Sequence, residues 1–598
     1  MRTLLLLSLL LPIGLVAQVE LTGEHMTWYP ITLTADGPDT GEDDTYNPFL
    51  HYRMDVTFTH DSATYTVPGY FAADGNAGQT GATKGNKWRA RFSPDRAGEW
   101  TYQISFRRGS NVAVADNNLA GTQVQGIDGK RGSFTIRKTD KGGRDLHGKG
   151  RLQFNGQQYP RWAETGELFI KSGPDAPENL LSYADFDGTF HNDGHRDDLV
   201  KTWEPHVRDW KEGDPSWHDG KGKGLIGAIN YLAEEEMNSI SFLVLNIAGD
   251  DRNVFPYVTY NDYERMDVSK LDQWEVVFDH ATRNGMFLHF KLSEAENQGL
   301  LDGGDVGPQR KLFYRELIAR FGHHPALNWN VGEENGVWNQ KEVTPMQTTT
   351  QRLAMARHLA ATDPYGHLIV IHNGQAFYDI LGPESEYTGL SLQTNRADFS
   401  RVYPATRRWL DLARDAKRPL AVAVDEPGDA QHSLITDGED PEHNLARQNA
   451  LWGALMAGAW GVEWYFGYAH PHSDLSCQDF RSRDLFWDQC RAALTFLREQ
   501  AVPLDQMSPA NDRTPADNDW ILATKDDAHF LILKKIDQPA PKTIQVKPGA
   551  YTIRYLNPRT GDLTQPVATQ SSADQLTLAP PPAEPMMDWV ILVKAVAK

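Results

Sequence analysis

The sequence predicts a mixed α/β protein in which a central (β/α)8 (TIM) barrel is flanked along the chain by two β-sandwich domains. Three observations carry this prediction. Short runs of alternating polar and apolar residues fill the two ends of the chain. Between them, eight short apolar segments alternate with helix-length segments. The chain has 598 residues, enough for about three domains of ~150 residues each.

The chain is strongly acidic, with 59 basic and 80 acidic residues and a formal net charge of −21. Such a surface repels nucleic-acid phosphates and anionic lipid, so neither nucleic acid nor a membrane is an expected partner. A neutral substrate, or one bound by a local basic patch, stays open. A charged fraction of 23% and a hydrophobic fraction of 40% exclude a largely disordered chain. The 17 tryptophans suit stacking on sugar rings, but large β-rich cores use them too.

Residues 1–17 predict a signal peptide. A basic start, Met1-Arg2-Thr3, precedes an apolar run from Leu4 to Val16, and Ala17 stands at the expected cleavage site. The run is shorter than the ~20 residues of a membrane-spanning helix. We therefore expect export to the periplasm or the extracellular space. No cysteine lies near Ala17 to indicate a lipid anchor.

The N-terminal β-sandwich is predicted over residues 18–140. Segments such as Tyr52–Phe58 and Trp100–Phe106 alternate polar and apolar residues, and Gly, Pro, Asp and Asn interrupt them. Lys138–Gly150, rich in Gly and Lys, is expected to be a linker.

The barrel is predicted over residues 150–505, with a long insertion at Tyr183–Gly224 before its first helix. Its eight expected strands are Trp162–Ile170, Ser239–Asn246, Met286–Lys291, Ala326–Gly332, Leu368–His372, Leu390–Gln393, Leu420–Val424 and Gly461–Phe466. The amphipathic segments between them are Gln309–Phe321, Gln347–Ala361, Tyr403–Ala416, Asn444–Ala457 and Leu485–Gln500.

The C-terminal β-sandwich is predicted over residues 508–598. Short strands return there, punctuated by Gly549 and Pro558–Gly561. The expected strands are Trp520–Ala523, Phe530–Lys534, Thr543–Val546, Tyr551–Tyr555 and Trp589–Val593.

Two pairs of adjacent acids follow the predicted fourth and seventh barrel strands: Glu333-Glu334 and Asp425-Glu426. Catalytic groups of a parallel barrel lie at the carboxyl ends of its strands. Glycoside hydrolysis needs two carboxyl groups on either side of a bound sugar. We predict Glu334 and Glu426 as the catalytic pair. Glu333 and Asp425 are the alternatives, or they orient the catalytic acids and bind substrate. The structural alternative is that these acids are solvated loop residues or charges at helix N-termini.

Further polar residues at strand ends are candidates for substrate binding: Asn246, Glu294, His372 and Gln393. Trp464 and Tyr465 close the eighth strand and offer aromatic faces for a pyranose ring. For Trp464 the alternative is plain core packing, and for the polar residues it is a hydrated loop. Other polar residues at these ends are Asp250, Asp251, Lys291, Glu296, Asn373 and Asn395.

No cofactor and no catalytic metal is expected. Gly222–Gly227 matches GxGxxG but follows a polar insertion rather than a strand. His191 and His195 could form a metal pair, although such loops are more often solvated. The acidic loops Asp36–Asp44 and Asp185–Asp193 could bind calcium, yet neither has EF-hand spacing.

The only cysteines are Cys477 and Cys490. Two cysteines cannot form a four-cysteine zinc site. The sequence is compatible with a single disulfide and with two reduced thiols, because an exported protein permits either.

Several motifs resemble a group of exported multidomain bacterial proteins. The N-terminal part resembles the DUF5060 β-sandwich through Val67–Asn76, Gly85–Trp88, Phe92–Asp95 and Gly98–Trp100. The middle is similar to DUF4038, or apiosidase-like, glycoside hydrolase barrels. Tyr555–Gly561 followed by Trp589-Val590 resembles the small collagen-binding-type β domain of such proteins.

The resemblance implies a hydrolase with a carboxylate acid/base after the fourth strand and a carboxylate nucleophile after the seventh, which fall on Glu334 and Glu426. Related barrels often place a neutral residue where this chain has Glu333. The group acts on diverse plant and algal polysaccharides. We therefore expect an exported glycoside hydrolase that retains anomeric configuration. The alternatives are a non-catalytic carbohydrate-binding protein on a degenerate barrel and a polysaccharide lyase.

Overall fold

The structure, a computed structural model, describes residues 18–189, 199–249, 251–336, 346–372, 377–515 and 518–596. The predicted signal peptide, His191, His195, Asp250 and Asn373 lie outside the described residues. Within the described ranges, no helix is both long and apolar enough to cross a membrane.

The N-terminal region forms two antiparallel sheets that face each other. Alternation places Ile31, Leu33 and Ala35 in the core between them. Phe58 and Phe92, one from each sheet, stack at 4.3 Å between ring centroids. One sheet contains Val19–Thr22, Ile31–Gly41, Lys84–Phe92 and Tyr70–Phe71; the other contains Ala63–Pro68, Tyr52–His60, Gly98–Arg108, Thr122–Gln123 and Arg131–Ile136. Two one-turn helices, Pro48–His51 and Ala77–Thr80, lie between strands.

Eight parallel strands form the central barrel, as predicted. They are β1 (Lys171–Pro174), β2 (Ser239–Leu243), β3 (Phe287–Lys291), β4 (Leu327–Glu333), β5 (Leu368–His372), β6 (Gly389–Gln393), β7 (Ala421–Glu426) and β8 (Gly461–Trp464). Pairing runs in sequence order from β2 to β8, and β8 then pairs with β1. All residues of these strands except Gln393 are buried.

Among the described residues, seven α-helices surround the strands, and the last five agree with the predicted segments to within a few residues when the π-helical turn before α6 is included. They are α1 (Lys223–Glu234), α2 (Val268–Arg283), α3 (Pro308–Phe321), α4 (Thr349–Thr362), α5 (Val402–Asp415), α6 (Gly453–Ala457) and α7 (Asp484–Glu499). A π-helical turn, Ala446–Trp452, leads into α6. Between β5 and β6, the only helical turn among the described residues is the 3₁₀ turn Tyr378–Leu381.

The first barrel strand differs from the prediction. Trp162 lies instead in a short hairpin of Leu152–Gln153 with Arg161–Trp162, and β1 begins at Lys171. The sequence of β1 is KSGP, which has no apolar alternation to reveal it. Its burial comes from its neighbours, because Lys171 is paired with buried acids and Gly173 packs against the next strand.

The C-terminal region forms a six-stranded antiparallel sheet and a two-stranded sheet. The six-stranded sheet is covered on both faces, because Ile532 packs within the domain while Leu531 and Leu533 pack toward the barrel. The six strands are Met507–Pro509, Trp520–Thr524, His529–Lys534, Trp589–Ala595, Gly549–Leu556 and Val567–Ser571, and the two are Thr543–Gln545 and Gln575–Thr577.

Ion pairs join both β regions to the barrel. Arg315 of α3 contacts Asp55 of the N-terminal region at 2.8 Å. On the other side, Arg447 makes a two-pronged contact with Asp588 at 2.7 and 2.9 Å, and both side chains are fully buried. Such forked pairs fix orientation as well as distance.

Cys477 and Cys490 are two free, buried thiols. Cys490 lies beside Ser172 and Trp464, whereas the Cys477 thiol lies 3.7 Å from the Asp479 carbonyl oxygen. Of the two alternatives left open by the sequence, the structure has the unpaired thiols.

The seam between β1 and β2 closes the barrel through close backbone approach. Asn238 donates its backbone N–H to the Ser172 carbonyl at 2.9 Å and accepts the Ser172 N–H on its side-chain oxygen at 2.8 Å. A Cβ atom on Gly173 would lie 1.9 Å from the Ser239 carbonyl oxygen. Only glycine therefore fits at this position without movement of a strand.

We expect Gly173→Ala to lower the free energy of unfolding by about 1–3 kcal/mol or more, because the seam must open to admit the methyl group. Urea denaturation measures the effect. Gly142→Ala is the matched control, since a Cβ there meets nothing within 4 Å. Equal denaturation midpoints for the two variants would contradict a tight seam.

Candidate active site

Glu334 and Glu426 meet at the carboxyl ends of β4 and β7. Both side chains contact one amide, since Gln393 Nε2 donates to Glu334 Oε1 at 2.6 Å and to Glu426 Oε2 at 3.1 Å. These two oxygens are therefore no farther apart than the sum of those distances. Gln393, at the end of β6, was predicted only as a substrate-binding residue.

The backbone at the end of β4 aims Glu334 away from its neighbour. Glu334 has a φ of 54°, in the left-handed region, and its N–H donates to the His372 carbonyl at 2.9 Å. The β4–β5 register shifts between Asn330 and Glu333. Gly332 is required there, because a Cβ would lie 2.0 Å from Asn335 Nδ2. Non-glycine residues adopt such a φ at a cost that packing must offset, often in functional sites.

Glu333 belongs to a buried ion network around Lys291. Lys291 Nζ lies 2.9 Å from Glu333, 3.0 Å from Asp175 and 2.6 Å from Glu178. Although burial opposes ionisation, Lys291 and His372 lower the pKa of Glu333 to about 2. Burial raises the pKa of Asp175 to about 8 and that of Glu178 well above its usual value. The network therefore keeps Glu333 ionised and retains protons on its other acids.

Asp425 faces the barrel interior and is held by Lys171 of β1. Lys171 Nζ lies 2.7 Å from Asp425 and 2.8 Å from Glu463, and His289 Nδ1 lies 2.6 Å from Glu463. The Asp425 side chain is only 2% exposed. Its contacts fit a structural counter-ion better than the alternative catalytic role or a contact with substrate. The sequence does not predict the role of Lys171, because a lysine in a short polar segment has no pattern that indicates a strand.

The environment of Glu334 favours its protonated form. Burial and then the negative charge of Glu426 raise the pKa of Glu334 to about 7. A carboxyl with such a pKa holds its proton over a wider range of pH than an exposed one.

His372 places a positive charge beside Glu426. Its Nε2 lies 2.8 Å from Glu426 Oε2 and its Nδ1 lies 3.0 Å from Ser391 Oγ. Against the effect of burial, the charge of Glu333 and the hydrogen bond to Glu426 raise the pKa of His372 to about 9. The protonated ring donates from both nitrogens, so it fixes the orientation of the Glu426 carboxylate.

Trp464 and Tyr465, the two aromatic residues predicted to contact a sugar, both lie at the end of β8. The structure contradicts this role for Trp464, and for Tyr465 it stays a prediction. Trp464 is fully buried, its Nε1 donates to Ser172 Oγ at 3.2 Å, and its ring packs edge-on against Phe486. Its predicted role in stacking on a sugar is wrong, because neither ring face reaches solvent. Tyr465 is also buried but lies near Glu426, which contributes with burial and Asp474 to a raised pKa.

Asn246 and Glu294 lie together just beyond β2 and β3. With its amide oriented to donate, Asn246 lies 2.8 Å from Glu294 Oε1. Asn297 Nδ2 donates to the same oxygen at 3.0 Å. Asn246 and Glu294 are both buried and hydrogen-bonded to protein groups. These bonds hold together the segments that follow β2 and β3 at the barrel mouth.

Three clusters of acidic and histidine side chains among the described residues could surround a cation: Glu275, His323 and His324; Asp175, His289 and Glu463; and Glu333, His372 and Glu426. Each already has a basic partner. Arg91 contacts Glu275 at 3.1 Å, Lys171 contacts Glu463, and Lys291 contacts Glu333. The carboxylates therefore have counter-charges within the chain.

The raised pKa of Glu334 predicts a pH-dependent stability. A carboxyl whose pKa rises from 4.5 to about 7 on folding stabilises the fold fully below pH 4.5, and this contribution is lost as the pH rises through about 7. Glu334→Gln removes that ionisation. We expect the free energy of unfolding of the variant, relative to the original chain, to increase by at most about 3 kcal/mol between about pH 5 and pH 8.5.

Urea denaturation at several pH values checks this expectation. Glu212→Gln, at an exposed loop position, controls for the loss of one carboxylate. If the free energies of unfolding of Glu334→Gln and the original chain differ by the same amount at every pH, the pKa of Glu334 is not raised on folding.

The fold is shared with solved structures. A "putative glycoside hydrolase" from Bacteroides vulgatus is similar over 96% of this chain and 99% of that chain, with 15% identity and a TM-score of 0.62. A glycoside hydrolase family 5 protein from Bacteroides vulgatus is similar over 75% of this chain and 93% of its own, with 15% identity and a TM-score of 0.50. At these identities the likeness concerns the fold.

Sequence comparison covers a smaller part of the chain. The family DUF5060, described as a domain of unknown function, matches residues 24–107. No curated protein matches the chain. The chain thus carries a DUF5060 domain and a barrel of the kind found in structures named as glycoside hydrolases, which confirms the first part of the resemblance.

Proposed function

We propose that the protein is an exported glycoside hydrolase that cleaves a plant or algal polysaccharide, or oligosaccharides from it, with retention of anomeric configuration. The observation that carries the proposal is the amide of Gln393 shared by Glu334 and Glu426. Retaining enzymes place their two carboxyl groups about 5–5.5 Å apart, and inverting enzymes about 6.5–9.5 Å apart. The Glu334 and Glu426 oxygens that share the amide lie no farther apart than the sum of their distances to it, 2.6 and 3.1 Å. Such close carboxyl groups support the retaining arrangement.

In the proposed first step, the Glu426 carboxylate attacks the anomeric carbon while Glu334 gives its proton to the departing glycosidic oxygen. The bond to the leaving group breaks as the bond to Glu426 forms. In the second step, Glu334 takes a proton from water, the water oxygen attacks the anomeric carbon, and Glu426 leaves as a carboxylate. The net reaction consumes one water and needs no cofactor.

The electrostatics suit both roles of Glu334. The charge of Glu426 is one of the causes that raise the pKa of Glu334 to about 7, so Glu334 is partly protonated near neutral pH before attack. Once Glu426 is esterified by the sugar, that charge is absent, and the pKa of Glu334 falls. A lower pKa then lets Glu334 act as a base toward water.

The neighbouring groups are proposed to position the reacting carboxylate. His372 and Gln393 both donate to Glu426 Oε2, which leaves its other oxygen for the attack. Lys291 holds Glu333 as a carboxylate, so Glu333 has no proton to give. Glu334 is then the proton donor of the adjacent pair.

Other parts of the proposal extend beyond the site. Export rests on the predicted signal peptide, and a carbohydrate substrate rests on the site and on the names of the proteins that share the fold. Assignment of the barrel to the DUF4038 type and of the C-terminal region to the collagen-binding type rests on the motif resemblance alone.

The two acids should respond differently to removal. Glu426→Ala should abolish turnover of all substrates, and azide should restore it by attacking the anomeric carbon from the vacated space, giving a glycosyl azide of inverted configuration. Glu334→Ala should slow natural glycosides about 10²–10⁴-fold. It should slow aryl glycosides with a good leaving group much less in the glycosylation step, because these need no protonation.

Kinetics of both variants on both substrate classes, with mass analysis for the azide product, test these roles. Asp425→Ala is the control for the neighbouring acid. Azide rescue of Asp425→Ala instead of Glu426→Ala would overturn the assignment. Unaltered turnover in both glutamate variants would show that other residues catalyse the reaction, whereas no turnover by the original chain would leave only a carbohydrate-binding role.

Retention predicts the anomer released first. Proton NMR during hydrolysis should detect the same anomeric configuration as in the substrate before mutarotation mixes the products. The opposite anomer would indicate an inverting reaction. A product that absorbs near-ultraviolet light through a new double bond would indicate a lyase.

A further inference from the structure

A cavity of about 290 Å³ adjoins Gln393. Besides Gln393, its wall contains Asn395, Arg401, Arg408 and Trp409. Because Gln393 contacts both proposed catalytic carboxylates, a sugar bound in this cavity would be close to the cleavage point. Its volume is near the lower end of the about 300–1,000 Å³ typical of small-molecule sites.

The two arginines of the cavity have no ion-pair partner in the described ranges. Both are exposed. Arg408 lies in α5 and Arg401 directly precedes that helix. The other arginines of α5 that lie outside the cavity are paired: Arg407 contacts Asp411 at 2.6 Å, and Arg414 contacts Asp411 at 2.8 Å. The positive charge at the cavity is therefore uncompensated, whereas elsewhere on the helix it is neutralised.

An exposed aromatic ring extends this surface. Tyr378 is 43% exposed, and its ring lies parallel to Trp409 at 5.5 Å between centroids. Arg408 donates to the Tyr378 hydroxyl, which uses one of the five N–H donors of the guanidinium. The Arg408 guanidinium also lies over the Tyr378 ring, 5.6 Å from its centroid. The remaining donors of Arg408 can bind a ligand, and the exposed part of the Tyr378 ring can contact the apolar face of a sugar ring.

A basic cavity on a strongly acidic chain indicates which kind of ligand binds there. A chain with a net charge of −21 repels anionic polysaccharides over most of its surface. Exposed, unpaired arginines beside the proposed catalytic acids would raise the affinity for an anionic ligand at this one place. Guanidinium groups also bind carboxylates and sulfate oxygens through paired hydrogen bonds.

We propose that this cavity, which we call the arginine pocket, is a subsite for a sugar that carries an anionic group. The group is the carboxylate of a uronic acid or a sulfate ester, and Arg401 and Arg408 bind its oxygens. The substrate of the proposed hydrolase is then an anionic polysaccharide. This inference deepens the proposed function and depends on it for the link to catalysis, but binding by the pocket can be tested separately.

Binding is measured by calorimetry with oligogalacturonides and with oligosaccharides of a sulfated galactan. Each is paired with its neutral counterpart, made by carboxyl reduction or by desulfation. The full chain with Glu426→Gln is used so that no ligand is consumed. At least one anionic ligand should bind at least tenfold more tightly than its neutral counterpart. If this is the oligogalacturonide, the anionic group is a carboxylate; if it is the sulfated galactan, the group is a sulfate ester. Raising the salt concentration should weaken this binding.

Arg401→Gln and Arg408→Gln should each weaken binding of the preferred anionic ligand by about tenfold or more, since each loses hydrogen bonds to a charged group. Arg414→Gln, an exposed residue at the far end of α5, is the matched control and should bind as the parent does. Both pocket arginines are exposed, so thermal denaturation should give unchanged midpoints. Equal affinity for anionic and neutral ligands, no binding of either anionic class, or equal losses in Arg408→Gln and Arg414→Gln would overturn the pocket assignment.

Hydrolysis assays on the chain with Glu426 intact separate the two proposals. Arginine-dependent binding without any cleaved product would support the pocket and overturn the hydrolase. Cleavage of charged and neutral saccharides at equal rates, unaffected by Arg401→Gln, would support the hydrolase and overturn the pocket.

Discussion

The candidate site depends on the buried ammonium group of Lys291. Burial alone would lower the pKa of this lysine, but Asp175, Glu178 and Glu333 raise it well above its usual value. Removal of one partner from such a network leaves uncompensated charge in a medium of low polarity, which is costly. The barrel therefore keeps three carboxyl groups, of which Glu333 is ionised, and one cation together at its centre. This arrangement fixes the end of β4 and, with it, the position of Glu334.

Strand geometry and this network together give neighbouring acids different environments. Consecutive side chains of a strand point in opposite directions, and the irregular end of β4 separates Glu333 from Glu334 further. Asp425 and Glu426 are divided in the same way, because Lys171 holds the first inside the barrel while Gln393 and His372 contact the second. In each pair of adjacent acids, the first residue, Glu333 or Asp425, is a structural counter-ion to a lysine. The second, Glu334 or Glu426, lies at the mouth of the barrel.

Much of the fold could be predicted from local pattern. Seven of the eight barrel strands follow from apolar runs such as LIVIH, and both flanking β regions follow from alternation. β1 was misplaced because KSGP gains its burial from Lys171 contacts and from the fit of Gly173, neither of which local pattern reveals. The prediction for Trp464 is wrong for a related reason. A tryptophan at a strand end suits both a sugar and the core, and its contacts with Ser172 and Phe486, which are distant along the chain, place it in the core.

The sequence by itself determined the order of strands and helices and the strand ends at which the acids lie, since these depend on contacts between residues close along the chain. It also identified Glu334, Glu426, His372 and Gln393 as candidates. Only the tertiary structure decided which acid of each pair contacts a lysine, which contacts Gln393, and that Arg401 and Arg408 lie beside that amide. The physical reason is that charge environment depends on groups brought together from distant parts of the chain, and burial then determines how strongly they act.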